Sequence, residues 1–105
     1  MRIEAQWLHR QIQFSEKEIC ELSGLSATEL RGLVDYGVLA PIDPGARTWT
    51  FSADRLVLAR SAFRLRNDFG LDLDGLALMV SLLERVRELE GEMRDLRARL
   101  PSGSR

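Results

Sequence analysis

One cysteine and one histidine are all that the 105 residues offer for thiol or imidazole chemistry. Cys20 has no second thiol to pair with, so no intrachain disulfide holds the fold, and a reducing compartment is expected. Inside "EICEL" it lies between apolar positions and reads as a small buried side chain. His9 has no cysteine or acid cluster at metal-ligand spacing and no nucleophile to serve as a base. Glycine is spread thinly, and "GARTW" lacks the lysine and spacing of a phosphate loop. Catalysis is not expected, nor is a bound metal or cofactor.

Long apolar runs are also missing. The longest, "LALMV" at 76–80, is far short of the ~20 residues that span a bilayer. "MRIEAQWLHRQ" scatters its charges and holds no apolar stretch of signal-peptide length. The expectation is a cytoplasmic protein with no membrane partner. Positive charge is the third scarcity: 15 basic residues face 16 acidic ones, for a net of −1. A protein that binds nucleic acid draws most of its affinity from cations set against phosphates. No such excess exists here.

What is present is helical punctuation. Hydrophobic residues make up 45% of the chain, enough for the modest core of one small domain. Ser15 with Glu18, preceded by Phe14, is a capping box with a staple residue, and predicts a helix at about 16–23 with Ile19 and Leu22 inward. Gly24 ends it. Ser26 with Glu29 opens a second helix over about 27–36, with Leu30, Leu33 and Val34 inward and Gly37 as its stop. Two short capped helices joined by "GLS" make a helix-turn-helix. Before them, alternation in "AQWLHRQIQF" suggests a short edge strand at about 6–13. After them, "PIDPGA" and the β run "TWTF" predict a wing, a loop or hairpin over 41–51 with Trp49 and Phe51 on one face.

Ser52 is the expected N-cap of a third helix at about 53–69. Leu56, Leu58, Ala59, Ala62, Phe63, Leu65 and Phe69 form its inner face, and Gly70 ends it. A fourth helix begins near Asp72 or Asp74. Up to residue 83 it is apolar on two faces, with Leu73, Leu76, Val80 and Leu83 on one and Met79 and Leu82 on the other. Beyond that one stripe survives: Met79, Leu82, Val86, Leu89, Met93, Leu96 and Leu100, spaced alternately by three and four. That is an a/d heptad seam. Glu90 and Arg97 flank it at e, and Arg85, Glu92 and Arg99 at g, charges that pair in either helix orientation. A homodimer through this seam is the expectation; the competing arrangement folds the helix back on its own domain. The organisation is then a winged helix-turn-helix with its third helix at 1–70, a packing and dimerisation helix at 71–100 and a disordered tail at 101–105. The fold class is mainly α, with a small β wing.

Charge is partitioned along the chain. Residues 15–40 carry five carboxylates against two cations, a net of −3. Residues 47–70 carry five cations against two carboxylates, a net of +3. The motif that would enter a DNA groove is therefore the acidic part, and its second helix offers only Arg31 for reading bases.

These residues carry a resemblance. Ile19, Leu22, Gly24-Leu25-Ser26, Leu30-Arg31, Gly37-Val38-Leu39 and Pro41, followed by a wing and a coiled-coil helix, resemble the MerR-like helix-turn-helix superfamily. That resemblance implies a dimer that binds DNA. MerR-like regulators, however, place aromatics directly after the motif arginine and an arginine in the wing. Here Gly32 and Leu33 follow Arg31, and "RTWTF" puts Trp49 or Thr50 at the wing position. The ordered set Trp49-x-Phe51, Arg60-x-x-x-Arg64-Leu65 and Leu71-x-Leu73-x-Gly75 is similar to the CbpM-type chaperone-modulator family, over about residues 14–100. Its members are small bacterial proteins. The resemblance implies binding to the J-domain of a CbpA-type, DnaJ-like co-chaperone and inhibition of its work with the Hsp70 protein DnaK. DNA binding is then expected to be weak or absent. J-domains present a basic helix, so charge nominates Glu18, Glu21, Glu29 and Asp35 as the docking surface. The stripe of Arg60, Arg64 and Asp68 on the third helix is the rival, with Arg64 and Asp68 placed to pair.

Overall fold

The structure is a computed structural model and describes residues 12–101. Its order is β1 (Gln13–Ser15), α1 (Glu16–Ser23), α2 (Ala27–Asp35), β2 (Thr50–Ser52), α3 (Ala53–Phe69) and α4 (Leu73–Arg99). The mainly helical, MerR-like class with a small β element is what the sequence predicts. Of the strand expected at 6–13, residues 6–11 lie outside the described residues, as do His9 and residues 102–105 of the tail. The strand that is described sits later, at Gln13–Ser15.

Both capping boxes form. The Ser15 hydroxyl accepts from Glu18 N at 3.1 Å, and Glu18 Oε1 accepts from Ser15 N at 2.8 Å. The Ser26–Glu29 box has distances of 3.1 and 2.9 Å. Each such cap contributes ~1 kcal/mol. Ser52 holds the N-cap conformation of α3 but makes no side-chain cap; its hydroxyl donates to Asp54 instead.

β1 and β2 pair antiparallel, with Phe14 opposite Phe51. The wing is a loop rather than a hairpin, closed where Ile42 N donates to Thr50 O at 2.8 Å. Trp49 meets Phe51 edge to face, with centroids 6.5 Å apart. Phe51 is fully buried and joins Ile19, Leu30, Leu33, Leu39, Leu58, Ala59, Ala62, Leu76 and Val80 in one core. That core is built from every helix, so the helix-turn-helix has no interior of its own.

Two inward assignments are overturned. Leu22 is 46% exposed, because Ser23 takes the inward place and its hydroxyl accepts the Leu25 amide at the turn. Phe69 is 66% exposed: the chain reverses at Gly70, and Leu71 and Leu73 pack on the core beyond it.

Gly24 has φ +93°, and a Cβ there would stand 2.7 Å from Phe63 Cε1. Gly24→Ala therefore meets a left-handed penalty of ~1–2 kcal/mol and a crowded ring costing ~1–3 kcal/mol more. The expected result is a melting temperature lower by roughly 10 °C or more, read by circular dichroism.

Candidate functional site

A groove-reading helix would present the outer face of α2: Ala27, Thr28, Arg31 and Asp35, all exposed. The turn at Gly24 lays the start of α1 against the middle of this helix. Arg31 Nε there donates to Glu16 Oε1 at 3.1 Å. An exposed pair of this kind adds little stability, ~0–1 kcal/mol. Its effect is electrostatic, since the one cation on the reading face already has its counter-ion. Asp35, a turn further on, has no cation partner among the described residues.

Gly32 explains the missing aromatic. A Cβ at Gly32 would run into the Leu73 side chain at the start of α4. The small residue lets α4 close over α2, and a bulky ring in its place would push the two helices apart. The departure from the DNA-reading pattern is thus a packing requirement of this chain.

The nominated carboxylates differ in what they have left to offer. Glu18 spends one oxygen on the Ser15 amide. Glu29 is engaged at both ends: Oε1 accepts from Ser26 N, and Oε2 accepts from Arg66 Nη1 at 2.7 Å. Arg66 also stacks over Phe63, 5.1 Å from its centroid. Glu29 therefore ties α2 to α3 and is not a free ligand. Glu21 and Asp35 are exposed and have no partner among the described residues.

Cys20 reports the field these groups create. Burial pushes its thiol above the ordinary value, Glu16 adds to the shift, Arg31 opposes it, and Glu21 and Glu29 raise it further. Carboxylates from both helices therefore act on one region between α1 and α2. The thiolate is scarce at neutral pH, and its fraction grows only as pH climbs past the ordinary thiol range. Iodoacetamide is expected to alkylate Cys20 several-fold more slowly than free cysteine at mildly alkaline pH, with the gap closing as pH rises. Mass spectrometry at timed quenches checks this.

On α3, Arg60 Nε donates to the Leu22 carbonyl at 3.2 Å, at the C-terminal end of α1 where a cation suits the helix dipole. Arg64 and Asp68 are exposed, and the ion pair expected between them does not form among the described residues. The acidic and basic candidate surfaces thus adjoin at the exposed Leu22.

The heptad residues Met79, Leu82, Val86, Leu89, Met93, Leu96 and Leu100 are all exposed, from 37% at Met79 to 61% at Leu96. At 3.6 residues per turn they lie on the far side of α4 from its buried Leu76, Ala77 and Val80. The helix does not fold this stripe onto its own domain. The radius of gyration, 16.2 Å, exceeds the ~13 Å of a compact chain of this length because the distal turns project.

Glu16 and Arg66 are the site residues that sequence reading missed. Their partners lie 15 and 37 residues away. No local spacing signals such pairs.

A short capped helix pair, a wing closed on a two-stranded sheet and a projecting C-terminal helix together define a MerR-like helix-turn-helix protein. Residues 14–98 match the family described as MerR HTH family regulatory protein. Chaperone modulatory protein CbpM from Escherichia coli O1:K1 / APEC is 34% identical over 89 residues, covering 85% of this chain and 88% of that protein. CbpM from Escherichia coli O139:H28 (strain E24377A / ETEC) matches with the same identity and coverage. The chain belongs to the MerR HTH regulatory family and, within it, to the CbpM proteins.

Among the described residues no helix is long and apolar enough to cross a membrane, and no cluster of His, Cys, Asp and Glu is placed to hold a metal.

Proposed function

We propose that this protein is a non-enzymatic chaperone modulator of the cytoplasm. It binds the J-domain of a CbpA-like, DnaJ-like co-chaperone and lowers that protein's work with the Hsp70 partner DnaK. The observation that carries the reading is the pairing of Arg31 with Glu16 on the outer face of α2. Among the described residues it leaves Glu21 and Asp35 as the unpartnered carboxylates of the helix-turn-helix against the single unpaired cation Lys17, a net acidic surface that repels phosphate and suits a basic helix. Glu18 contributes its remaining oxygen. Opposite potentials give fast encounter and salt-sensitive affinity. The protein acts as a homodimer through the exposed seam of α4, which places one acidic face on each protomer. The kinship with CbpM proteins supports the chaperone side of this reading.

The membership in a regulatory helix-turn-helix family keeps one second reading in view, a transcription regulator that binds operator DNA. One experiment separates the two. The purified protein is titrated by calorimetry against a CbpA-type J-domain and, in parallel, against mixed duplex DNA at low salt. Saturable J-domain binding with feeble DNA binding is expected. Tight DNA binding with a silent J-domain would overturn the proposal.

A further inference from the structure

A second charged surface, on α3, is not used by the proposed J-domain contact. The arginines of the described residues fall into two groups. Arg31, Arg55, Arg66 and Arg85 each hold a carboxylate. Arg47, Arg60, Arg64, Arg87, Arg94, Arg97 and Arg99 have no carboxylate partner among the described residues, and of these Arg60, Arg64 and Arg87 stand together. The three gather around one point on α3. Arg87 reaches across from α4, with Nη2 3.4 Å from Ser61 Oγ. Arg60 precedes Ser61, and Arg64 follows it within a turn on the same exposed face. Asp68, another turn on, marks the far limit of this cationic stretch.

Beside it runs an open groove of about 630 Å³ between the start of α3 and the middle of α4, lined by Asp54, Arg55, Val57, Leu58, Glu84, Arg87 and Glu88. A single Arg55 bridges Asp54 at 3.0 Å and Glu84 at 2.9 Å, and Arg85 holds Glu88 at 3.1 Å, so with Arg87 the groove is close to neutral and the net positive charge beside it comes from Arg60 and Arg64. Burial raises the Asp54 carboxyl, but hydrogen bonds from Ser52 and Arg55 and the Arg55 charge outweigh it and keep the group below the usual range. Asp54 thus stays ionised and paired. The groove's guanidinium with no carboxylate contact among the described residues is Arg87, and its exposed apolar surface is Val57, 53% exposed one turn before Ser61. Leu22 adds a second exposed apolar side chain, held beside Arg60 through its carbonyl.

We infer that this face docks an acidic, amphipathic protein segment. Its carboxylates meet Arg60, Arg64 and Arg87, and an apolar side chain seats on Val57. Guanidinium groups bind carboxylates in a paired, planar fashion, which favours arginine in such a role. Nucleic acid is the poorer fit. Three cations release few counterions, and a phosphate backbone has no use for the valine floor. The site adjoins the acidic face of α1 and α2 at Leu22 but uses none of its carboxylates, so failure of this test leaves the J-domain reading untouched.

The test uses the full-length protein and fluorescence anisotropy. The probe is a labelled synthetic helix-forming peptide with leucine and phenylalanine on one face and glutamate on the other. Polyglutamate of equal charge and a short DNA duplex serve as competitors. Saturable binding is expected, weakened about tenfold or more by Arg60→Gln with Arg64→Gln, and several-fold by Val57→Ser. Arg64→Gln alone, at a side chain that holds nothing in the fold, keeps the test sound if the double variant misfolds; it is expected to weaken binding about threefold. Polyglutamate is expected to displace the peptide poorly. Three results would overturn the inference: no saturable binding, affinity unchanged in the arginine variants, or displacement by polyglutamate or the duplex as effective as by unlabelled peptide. The last would reduce the patch to bare charge.

Discussion

Replacing Leu89 and Leu96 together by lysine is expected to turn a dimer into a monomer. Sedimentation or light scattering should report a mass near 11.9 kDa for the variant and twice that for the parent chain. Both residues are d positions of the seam, and in the dimer the change places four ammonium groups in what was an apolar interface. Each leucine gives up ~1.5–3 kcal/mol of burial. With every 1.4 kcal/mol worth tenfold, the loss of four exceeds a thousandfold in dissociation constant. The fold itself is expected to survive. The buried residues of α4 are Leu76, Ala77 and Val80, and the turns that carry Leu89 and Leu96 contribute nothing to the core. The helical signal and the melting of a dilute sample should therefore change little beyond the concentration-dependent part. A variant that stays dimeric would mean that the interface lies elsewhere, with the exposed Leu78 near the base of α4 as the next place to look.

What the sequence revealed and what it hid follow from the range of each interaction. The capping boxes at Ser15 and Ser26 are three-residue features, and both were readable and both formed. The exposed apolar stripe of α4 was readable because its period is local to one helix. Leu22 was misplaced because periodicity ignores Ser23, which turns inward where its hydroxyl accepts the Leu25 amide. Phe69 was misplaced for a similar reason, since helical periodicity says nothing about the reversal at Gly70. The acidic face was visible as a charge count but not as a surface. That Glu29 would be locked by Arg66, and Arg31 silenced by Glu16, depends on how α1, α2 and α3 pack. The groove beside Val57 depends on the crossing of α3 and α4, and no motif announces it. Gly32 was read as a missing aromatic; only the approach of Leu73 shows why it is glycine.

Reversing Glu21 and Asp35 to arginine is expected to weaken J-domain binding by about tenfold or more, mostly through a slower association rate. Arg64→Glu should leave affinity within about twofold, because Arg64 lies on α3, outside the proposed contact. These positions are the clean probes. Glu29 is the more obvious choice from sequence, yet Glu29→Arg would set a cation against Arg66 and remove the carboxylate that caps Ser26. Loss of binding in that variant would not separate contact from fold. Glu21 and Asp35 hold nothing together among the described residues, so their reversal tests the surface itself. The salt dependence supplies a second readout. For the parent chain the association rate should fall steeply with ionic strength; for the double variant the slope should flatten or change sign. A stability effect lowers affinity without reversing that slope, so rate and slope together tell a lost contact from a damaged fold. If Arg64→Glu proved the more damaging change, the J-domain would belong on α3. The acidic helix-turn-helix would then be a surface shaped to refuse DNA, with Arg31 held by Glu16 for that purpose alone.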